Sequence, residues 1–405
     1  MAGSLRRWVR LRFPVLETAE RHLSAYPVPK NLNVWYCFGI LALVVLVNQL
    51  LTGLWLAMAY NPSAEGAFAS IESFTRDVDD GWLLRYLHVT GASAFFIVIY
   101  LHMFRGLLYG SYRRPRELIW LLGMALYLCL MAEGFLGCLL PWGNMSYWSA
   151  QVILNLVGSL PVVGDALATW VRGDYAVSGI TLNRFFALHV IALPFLLGVL
   201  VFLHLVALHH LGSSSPDGRD TTLVRGAGIP PGSVPFHPYY TVHDLVAVVV
   251  FLAVFATVVF FFPDGGGHIL EPANFEPANP LATPAHITPA WYYTPFYAML
   301  RAVPSKLGGI VTLGAAIAVL FILPWLDRSP VRSIRQKGRQ SRFWLMLFAV
   351  SFLGLGCLGS MPVTPVRALC AQCLTVTYFL FFLLMPFYSA RETLPAKVPP
   401  VEASR

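Results

Sequence analysis

The sequence GWLLRYLHVTGASAFFIVIYLHMFRGLLY, residues 81–109, is apolar over a length that can cross a lipid bilayer as one helix. It contains His88 and His102, which are separated by 14 positions. Because an α-helix turns about 100° and rises about 1.5 Å per residue, both rings lie on nearly the same face, about 21 Å apart along the axis. A second apolar stretch, residues 181–211, repeats this arrangement with His189 and His204.

Histidines inside a bilayer need a partner or a function, because placing an ionisable side chain in hydrocarbon is costly. A single histidine on an apolar face is commonly a hydrogen-bonded core residue, but two matched pairs predict two metalloporphyrin sites. Each iron would be held by one imidazole from each helix. Zinc is disfavoured, because two histidines one helix length apart cannot complete a tetrahedral shell. The candidate metal ligands are therefore His88, His102, His189 and His204.

The composition is that of an integral membrane protein. Hydrophobic residues make up 57% of the 405 residues and charged residues only 12%, about half the charged fraction of soluble domains. The apolar runs predict an all-α integral membrane protein with eight transmembrane helices, at residues 35–60, 82–109, 116–140, 182–210, 241–262, 308–326, 342–361 and 367–388.

The charges outside these helices predict their orientation. The loop after the first span is acidic, whereas basic residues are concentrated before the first span and after the second and sixth spans. They are Arg6, Arg7, Arg10, Arg12, Arg21, Lys30, Arg113, Arg114, Arg116, Arg328, Arg332, Arg335, Lys337, Arg339 and Arg342. The positive-inside rule therefore predicts that both termini are cytoplasmic. The net charge of +8 follows from this bias and indicates no nucleic-acid partner.

Two further helices carry glycine pairs at the same interval as the first histidine pair. Gly39 and Gly53 lie in the first span, and Gly123 and Gly137 lie in the third. Glycines in membrane helices commonly allow close helix packing. Because the interval is again 14 residues, we favour a second role, in which the missing side chains make room for a flat macrocycle at two depths. The first four spans would then form a four-helix bundle that holds two haems.

Five motifs carry a resemblance to a known family: RYLH at 85–88, LHMFRGLLYGSY at 101–112, LLPWGNMSYW at 139–148, LNRFFALH at 182–189 and PAWYYTPFYAMLR at 289–301. From about residue 30 to 387 the chain resembles bacterial cytochrome b, the di-haem core subunit of the cytochrome bc complex (quinol–cytochrome c reductase). The resemblance implies that residues 1–211 form the di-haem four-helix bundle with an outer amphipathic loop. It also implies that residues 212–405 form a four-helix half whose PAWY loop completes the quinol site.

The resemblance implies an activity as well. Such a subunit oxidises quinol at the outer face, passes electrons through two non-covalent b haems and reduces quinone at the inner face, coupled to proton translocation. It needs a Rieske iron–sulfur protein and a cytochrome c subunit as partners in a homodimeric complex within the lipid bilayer. Departures from the mitochondrial pattern favour a bacterial inner membrane.

In that family, His88 and His189 hold the low-potential outer haem, and His102 and His204 hold the high-potential inner haem. The resemblance implies that Arg85, Arg105 and Arg184 neutralise haem propionates; snorkelling to the interface is the alternative. His189 and His204 are 15 positions apart, so a regular helix would rotate one ring by about 100°. Because Pro194 frees a carbonyl between them, we expect a local π-type widening to absorb this offset.

At the outer quinol site, the family motif reads P-E-W-Y, and its glutamate accepts a quinol proton. Here Pro289, Trp291 and Tyr292 match the motif, but Ala290 replaces the glutamate. Glu133 lies inside the third span, where an unpaired carboxylate is costly. We therefore predict that Glu133 replaces the missing proton acceptor, together with Tyr292. The alternative is a structural carboxylate bonded to a neighbouring helix. Cys138 and Asn144 also depart from the family, which has Tyr and Gln at these positions.

At the inner face, the resemblance assigns quinone binding and protonation to His209, Ser213 and Asp244, with His210 and His243 beside them. A histidine and a carboxylate at a membrane edge are suitable proton donors near neutral pH. Two alternatives from other classes remain at this point. One is a proton-coupled transporter without cofactors, and the other is a di-haem anchor for another dehydrogenase, which would need only the first four spans.

Overall fold

The computed structural model of the chain describes residues 26–218 and 232–393, together with Trp8 and Arg12. Most of the basic N-terminal segment that contributes to the predicted orientation, including Arg6, Arg7, Arg10 and Arg21, lies outside the described residues. The end of the predicted C-terminal half, residues 394–405, lies outside them as well.

Within the described ranges, eight helices are long and apolar enough to cross a membrane, and they confirm the predicted all-α membrane fold. Their bounds differ from the predicted ones by at most a few residues. We call them the first to eighth spans: Val34–Ala59, Gly81–Tyr109, Glu117–Leu139, Gly179–Leu211, Tyr239–Phe261, Lys306–Leu326, Arg339–Gly359 and Pro365–Ala390.

The fourth span is interrupted by a π-helical turn at Leu188–Ala192, between α-helices at Gly179–Ala187 and Leu193–Leu211. The backbone N–H of Leu193 bonds to the carbonyl of Leu188, five residues earlier. The predicted local widening between the two histidines is therefore confirmed. It precedes Pro194, which has no N–H to continue a regular ladder.

Shorter elements connect the spans. A strand at Pro27–Pro29 pairs antiparallel with a strand at Ser233–Pro235, so the start of the described chain is tied to the segment before the fifth span. In the part of the chain that the structure describes, four short α-helices lie between spans, at Ala67–Asp77, Asn144–Gly158, Gly164–Arg172 and Thr294–Ala302. Single 3₁₀ turns lie at Gly265–Gly267, Pro272–Phe275 and Trp291–Tyr293.

The spans pack mainly with their neighbours in the chain. The first packs along the second, the third along the fourth, and the seventh along the eighth. The fifth span packs on the first and second, while the sixth contacts the third. One buried cluster accordingly joins both parts of the chain, with Phe96 and Tyr127 on one side and Tyr292, Phe348 and Tyr378 on the other. The division at residues 211 and 212 stays a prediction.

Chain direction defines two ends of this bundle. We call the end at which the second and fourth spans begin the His88 edge, and the end at which they finish the His102 edge. The connections at residues 140–178 and 262–305 lie at the His88 edge. Those at residues 110–116, 212–218, 232–238 and 327–338 lie at the His102 edge.

Asp327, directly after the sixth span, ties two connections together at the His102 edge. Its side chain is 0% exposed. Its carboxylate accepts hydrogen bonds from Lys337 Nζ at 2.6 Å and from the Tyr112 hydroxyl at 2.7 Å, and Arg113 Nε lies 3.8 Å away. Burial alone would raise the pKa of Asp327, but the charges of Lys337 and Arg113 outweigh it and lower the pKa.

We expect Asp327→Asn to destabilise the fold, because it leaves the buried Lys337 ammonium without its counter-charge. The cost should be about 3–5 kcal/mol, measured as a lower thermal unfolding midpoint in detergent. The control is Asp217→Asn, whose ion pair with Arg335 has side chains 45% and 53% exposed and should cost below about 1 kcal/mol.

The pH dependence provides a second check on the same residue. Because the folded-state pKa of Asp327 is lowered, its stabilisation is complete above the ordinary aspartate value of about 3.9. It is lost as the pH falls through the lower folded value. The midpoints of the wild-type and Asp327→Asn proteins should therefore converge below about pH 4. A gap that persists unchanged at low pH would contradict the assignment.

Candidate functional site

The second and fourth spans bring the four predicted ligand histidines together as two pairs. His88 faces His189 with ring centres 6.3 Å apart, and His102 faces His204 with ring centres 6.4 Å apart. The planes of the rings are inclined at 85° and 59°. All four side chains are part-buried, and each pair lies near a different edge of the bundle.

These separations fit a metal ion held axially between two imidazoles. A metal–nitrogen bond to histidine is about 2.0–2.1 Å long and a ring nitrogen lies about 1.1 Å from the ring centre, so two axial rings have centres about 6.2–6.4 Å apart. The distances between ring centres in both pairs fall within this range.

Hydrogen bonds orient the two rings near the His88 edge. The Nδ1 atom of His88 lies 2.9 Å from the Thr52 hydroxyl, which itself donates to the carbonyl of Asn48 at 2.6 Å. The hydroxyl therefore accepts from His88 Nδ1–H. The Nδ1–H of His189 donates to the backbone carbonyl of Glu133 at 3.0 Å. With both Nδ1 atoms protonated, each Nε2 is left with a lone pair for a metal, which is the usual arrangement of a ligating histidine.

Each predicted glycine lies against one of the four histidine rings. Near the His88 edge, a Cβ on Gly53 would lie 3.0 Å from Cε1 of His88, and a Cβ on Gly137 would lie 2.6 Å from Cε1 of His189. At the other level, a Cβ on Gly39 would lie 3.5 Å from Cε1 of His102. A Cβ on Gly123 would lie 3.4 Å from Cε1 of His204. The glycines therefore admit the ligand rings themselves at two depths.

The three predicted propionate-binding arginines have different surroundings. Arg85 is buried and donates to Glu72 Oε1 at 3.2 Å and to Thr75 Oγ1 at 3.1 Å, both on the helix Ala67–Asp77. Arg184 is exposed and donates to the backbone carbonyl of Trp170.

Arg105 has one buried N–H group that is not hydrogen-bonded to any described residue. One of its terminal nitrogens donates to Ser111 Oγ at 3.1 Å, and its guanidinium lies 4.8 Å from the ring centre of Tyr36. Its Nε is buried without a hydrogen-bond partner among the described residues. A buried cationic N–H group near the His102 edge can donate a hydrogen bond to an anionic oxygen at low cost.

The PAWY motif leads into an aromatic cluster near the His88 edge. Pro289 and Ala290 are irregular and precede the turn Trp291–Tyr293. Trp291 Nε1 donates to Ser93 Oγ at 3.1 Å. The Tyr292 ring stacks on Phe96 with ring centres 3.9 Å apart. The pKa of Tyr292 is raised well above its ordinary value, because the ring is buried and the Cys138 thiol is close.

Glu133 contacts His189, in the histidine pair near the His88 edge, rather than Tyr292. Its Oε1 is 3.2 Å from His189 Nδ1, while its Oε2 is buried without a hydrogen-bond partner among the described residues. The Tyr292 hydroxyl instead contacts Cys138 Sγ at 3.7 Å. The nearer tyrosine is Tyr293, whose hydroxyl donates to the carbonyl of Met131 at 2.7 Å on the same helical turn. Glu133 therefore has both a neighbouring-helix contact and an unused oxygen.

Two connections are bonded to each other over this region. Gly143 pairs with Pro277 as an isolated β-bridge, and Ala278 N donates to Trp142 O at 3.0 Å. Asn274 Oδ1 accepts from both the backbone N–H and the hydroxyl of Ser146, at 2.7 and 2.9 Å. Residues 142–146 and 274–279 therefore form one continuous cover at the His88 edge.

At the His102 edge, Tyr26 lies among the predicted quinone-site residues. Its ring contacts His209 edge-on with centres 4.9 Å apart, and its hydroxyl is 3.3 Å from Ser213 Oγ. The pKa of Tyr26 is raised, chiefly by burial, although the bond to Ser213 opposes this and the charge of Asp244 adds to it. The structure thus brings His209 and Ser213 together around Tyr26, with Asp244 near enough to act on it.

Asp244 also belongs to a second group of side chains. The Nδ1 atom of His243 lies 3.7 Å from Asp244 Oδ1 and 3.5 Å from Cys37 Sγ. Cys37 is 1% exposed and precedes the helix Phe38–Ala59, while His243 and Asp244 lie in the first turns of the fifth span.

Sequence reasoning missed four side chains at these sites. Thr52 was adjacent to a predicted glycine, and Tyr293 followed the recognised motif, so both had a weak local signal. Tyr26 and Cys37 had none, because they contact His209 and His243, which are distant from them in the sequence.

Both parts of the chain match one family. Residues 23–212 match the sequence model described as Cytochrome b/b6/petB, and residues 277–379 match the one described as Cytochrome b(C-terminal)/b6/petD. The cytochrome b of Allochromatium vinosum is 58% identical over 394 residues, 95% of each chain. The cytochrome b of Rhodospirillum rubrum is 47% identical over 397 residues, 97% of this chain and 95% of that one.

A solved structure has the same fold. A chain of a structure entitled "Hyperthermophilic respiratory Complex III" superimposes with a TM-score of 0.87 at 38% identity, covering 95% of this chain and 99% of that chain. Similarity over nearly the whole of both chains extends to the fifth to eighth spans as well as to the histidine-bearing half.

The cover near the His88 edge yields a test. We expect Asn274→Ala to expose the backbone N–H of Ser146, because that amide loses its acceptor. Removing one such bond costs about 1–3 kcal/mol, so its hydrogen exchange should accelerate at least about fivefold. Asn279→Ala is the control, because among the described residues the Asn279 side chain accepts only from Leu281 N, within its own turn. Equal exchange at Ser146 in the two variants would contradict this account.

Proposed function

Because this chain belongs to the cytochrome b family, we propose that its two histidine pairs hold two non-covalent b haems, His88 with His189 and His102 with His204. As the core subunit of respiratory complex III, the chain acts in a quinol–cytochrome c oxidoreductase and is a multi-pass membrane protein of a multi-subunit complex. The observation that carries the proposal is the separation of 6.3 and 6.4 Å between the ring centres of the two histidine pairs.

The residues around each pair then have definite tasks. When bound, the haems supply one-electron oxidation and reduction at two depths of the membrane. Thr52 and the Glu133 carbonyl hold the rings near the His88 edge in the orientation that directs Nε2 away from these acceptors. Arg105, with its buried free Nε, is the strongest candidate for a propionate partner. Arg85 and Arg184 each donate to protein acceptors through Nη1, so their remaining N–H groups would bind a propionate.

We expect the purified complex to contain two b haems per chain that titrate as separate one-electron steps. Gly137→Val should remove the haem at His88 and His189, because a side chain there meets the His189 ring at 2.6 Å. The measurements are the haem-to-protein ratio and a potentiometric titration of haem absorbance. Gly198→Val is the control, since Gly198 lies in the fourth span with nothing within 4 Å of an added Cβ. Two unchanged steps in Gly137→Val would contradict the proposal.

The quinol-oxidising site is proposed at the His88 edge. The acidic connection before the second span and the basic connections at the opposite edge support an outer location by the positive-inside rule, with both termini cytoplasmic. Pro289, Trp291 and Tyr292 would shape the site. Glu133 would accept the quinol proton at Oε2, whose lack of a partner among the described residues leaves it available.

Glu133→Gln tests this role, because an amide cannot accept the proton. We expect the rate of quinol oxidation to fall at least about tenfold, which is a modest effect for losing a general base. The decline of activity toward low pH that protonation of a carboxylate causes should also disappear. Glu65→Gln is the control, because Glu65 is an exposed carboxylate at the same edge.

The outcomes of this substitution are distinguishable. An unchanged rate across pH would exclude Glu133 as the proton acceptor. A shifted potential of the His189 haem with an unchanged pH profile would instead identify Glu133 as a residue that positions His189, the alternative that its 3.2 Å contact supports.

Quinone reduction is proposed at the His102 edge. His209, Ser213 and Asp244 would bind the quinone carbonyls and supply protons, and Tyr26 would take part through its contacts with His209 and Ser213. The basic character of this edge supports an inner location.

The finer assignments of partners and place follow from the same family. We propose a Rieske iron–sulfur protein as the acceptor of one quinol electron, a cytochrome c subunit as its onward acceptor, a homodimeric complex and a bacterial inner membrane. Residues 1–211 and 212–405 would be its di-haem and quinol-site halves. The transporter and four-span anchor alternatives do not agree with family matches in both parts of the chain.

A further inference from the structure

We propose that Cys37, His243 and Asp244 form a zinc-binding site at the His102 edge. Their ligand atoms all lie within 4.8 Å of one another. The group joins the start of the first span to the start of the fifth, and these two spans are packed together. This site is separate from the two histidine pairs and needs no haem.

The distances are close to those of an assembled site. Around a tetrahedral zinc ion with Zn–S of about 2.3 Å and Zn–N and Zn–O of about 2.0 Å, sulfur and nitrogen lie about 3.5 Å apart, and nitrogen and oxygen about 3.3 Å. The corresponding separations here are 3.5 Å from Cys37 Sγ to His243 Nδ1 and 3.7 Å from His243 Nδ1 to Asp244 Oδ1. A single ring nitrogen faces both other ligands, so binding requires adjustments of only a few tenths of an ångström along these two sides.

The donor set selects the class of metal. A thiolate, an imidazole and a carboxylate are the three kinds of zinc ligand, and three protein ligands leave a fourth position for water or substrate. Magnesium and calcium prefer sites made of oxygen alone, so the sulfur argues against both. Binding releases the thiol proton, so the ion is held by a thiolate, a neutral imidazole and an ionised carboxylate.

The burial pattern allows a metal ion to reach the site. Cys37 is 1% exposed, whereas the side chains of His243 and Asp244 are 39% and 21% exposed. The sulfur therefore lies at the bottom of the group, and the other two ligands lie on the accessible side. The ring of Tyr240 contacts His243 edge-on with centres 5.9 Å apart and limits its rotation.

A regulatory consequence rests on the proposed function of Asp244. If Asp244 supplies a proton to quinone, zinc bound to its carboxylate removes that donor and slows quinone reduction. Binding of the metal does not depend on this role. The two claims can therefore be tested separately.

The first experiment measures zinc bound to the intact complex by chelator competition and records its zinc K-edge X-ray absorption. We expect one sulfur at about 2.3 Å with nitrogen and oxygen neighbours. In Cys37→Ser the sulfur neighbour should be absent from the X-ray absorption spectrum. The affinity for zinc should fall by more than about tenfold, because even the loss of an outer-shell partner costs about that much. Cys373→Ser is the control, because Cys373 is an exposed thiol on the eighth span. Unchanged haem content shows that each variant is folded, and His243→Gln provides a second variant that should also lose affinity.

Three results would overturn the site: zinc held by nitrogen and oxygen alone, no zinc bound at micromolar concentration, or equal affinity in the wild type and Cys37→Ser. The functional arm compares quinone reduction with and without zinc. Inhibition in the wild type and Cys373→Ser, but not in Cys37→Ser, supports both claims. Sulfur-bound zinc without inhibition keeps the metal site and overturns the proposed role of Asp244.

Discussion

The opposition of imidazole rings across the second and fourth spans is the constraint on which the rest of the bundle depends. Two imidazoles that held one metal ion between them would allow little variation in the distance between their helices, because metal–nitrogen bonds are short and directional. The first and third spans must then pack against the histidine rings without placing side chains in the space that the rings occupy. Glycines at Gly39, Gly53, Gly123 and Gly137 meet this requirement, since each lies directly against one ring.

The fourth span shows how a local irregularity serves the same constraint. Its histidines are 15 positions apart, and a regular helix would turn one of them away from its partner. The π turn at Leu188–Ala192 takes up the additional residue beside His189. Its cost in backbone hydrogen bonding is small because Pro194, just beyond the turn, could not have continued the regular ladder in any case.

Much of this architecture could be predicted from the sequence, because helix geometry is local. The spans, the two levels of histidines and the π turn all follow from positions along one helix and from the properties of proline. The surroundings of Arg85 and Glu133 could not be predicted, because Glu72 and His189 reach them from other helices. The surroundings of Cys37 could not be predicted either, because nothing near it in the sequence indicates His243 or Asp244.

The two histidine levels differ in the groups behind their rings, and this difference has a direction. Near the His88 edge, Nδ1–H bonds to Thr52 and to Glu133 make the rings stronger electron donors, and the Glu133 carboxyl group adds an electron-rich neighbour. Both effects favour an oxidised metal.

At the other level, the Nδ1 atom of His102 has no partner among the described residues, and the nearby cation Arg105 favours a reduced metal. With metal centres bound at both levels, an electron would therefore be more stable at the His102 level than at the His88 level. A bundle built from two similar pairs thus acquires a preferred direction from hydrogen bonds and one cation, without any difference in the ligands themselves.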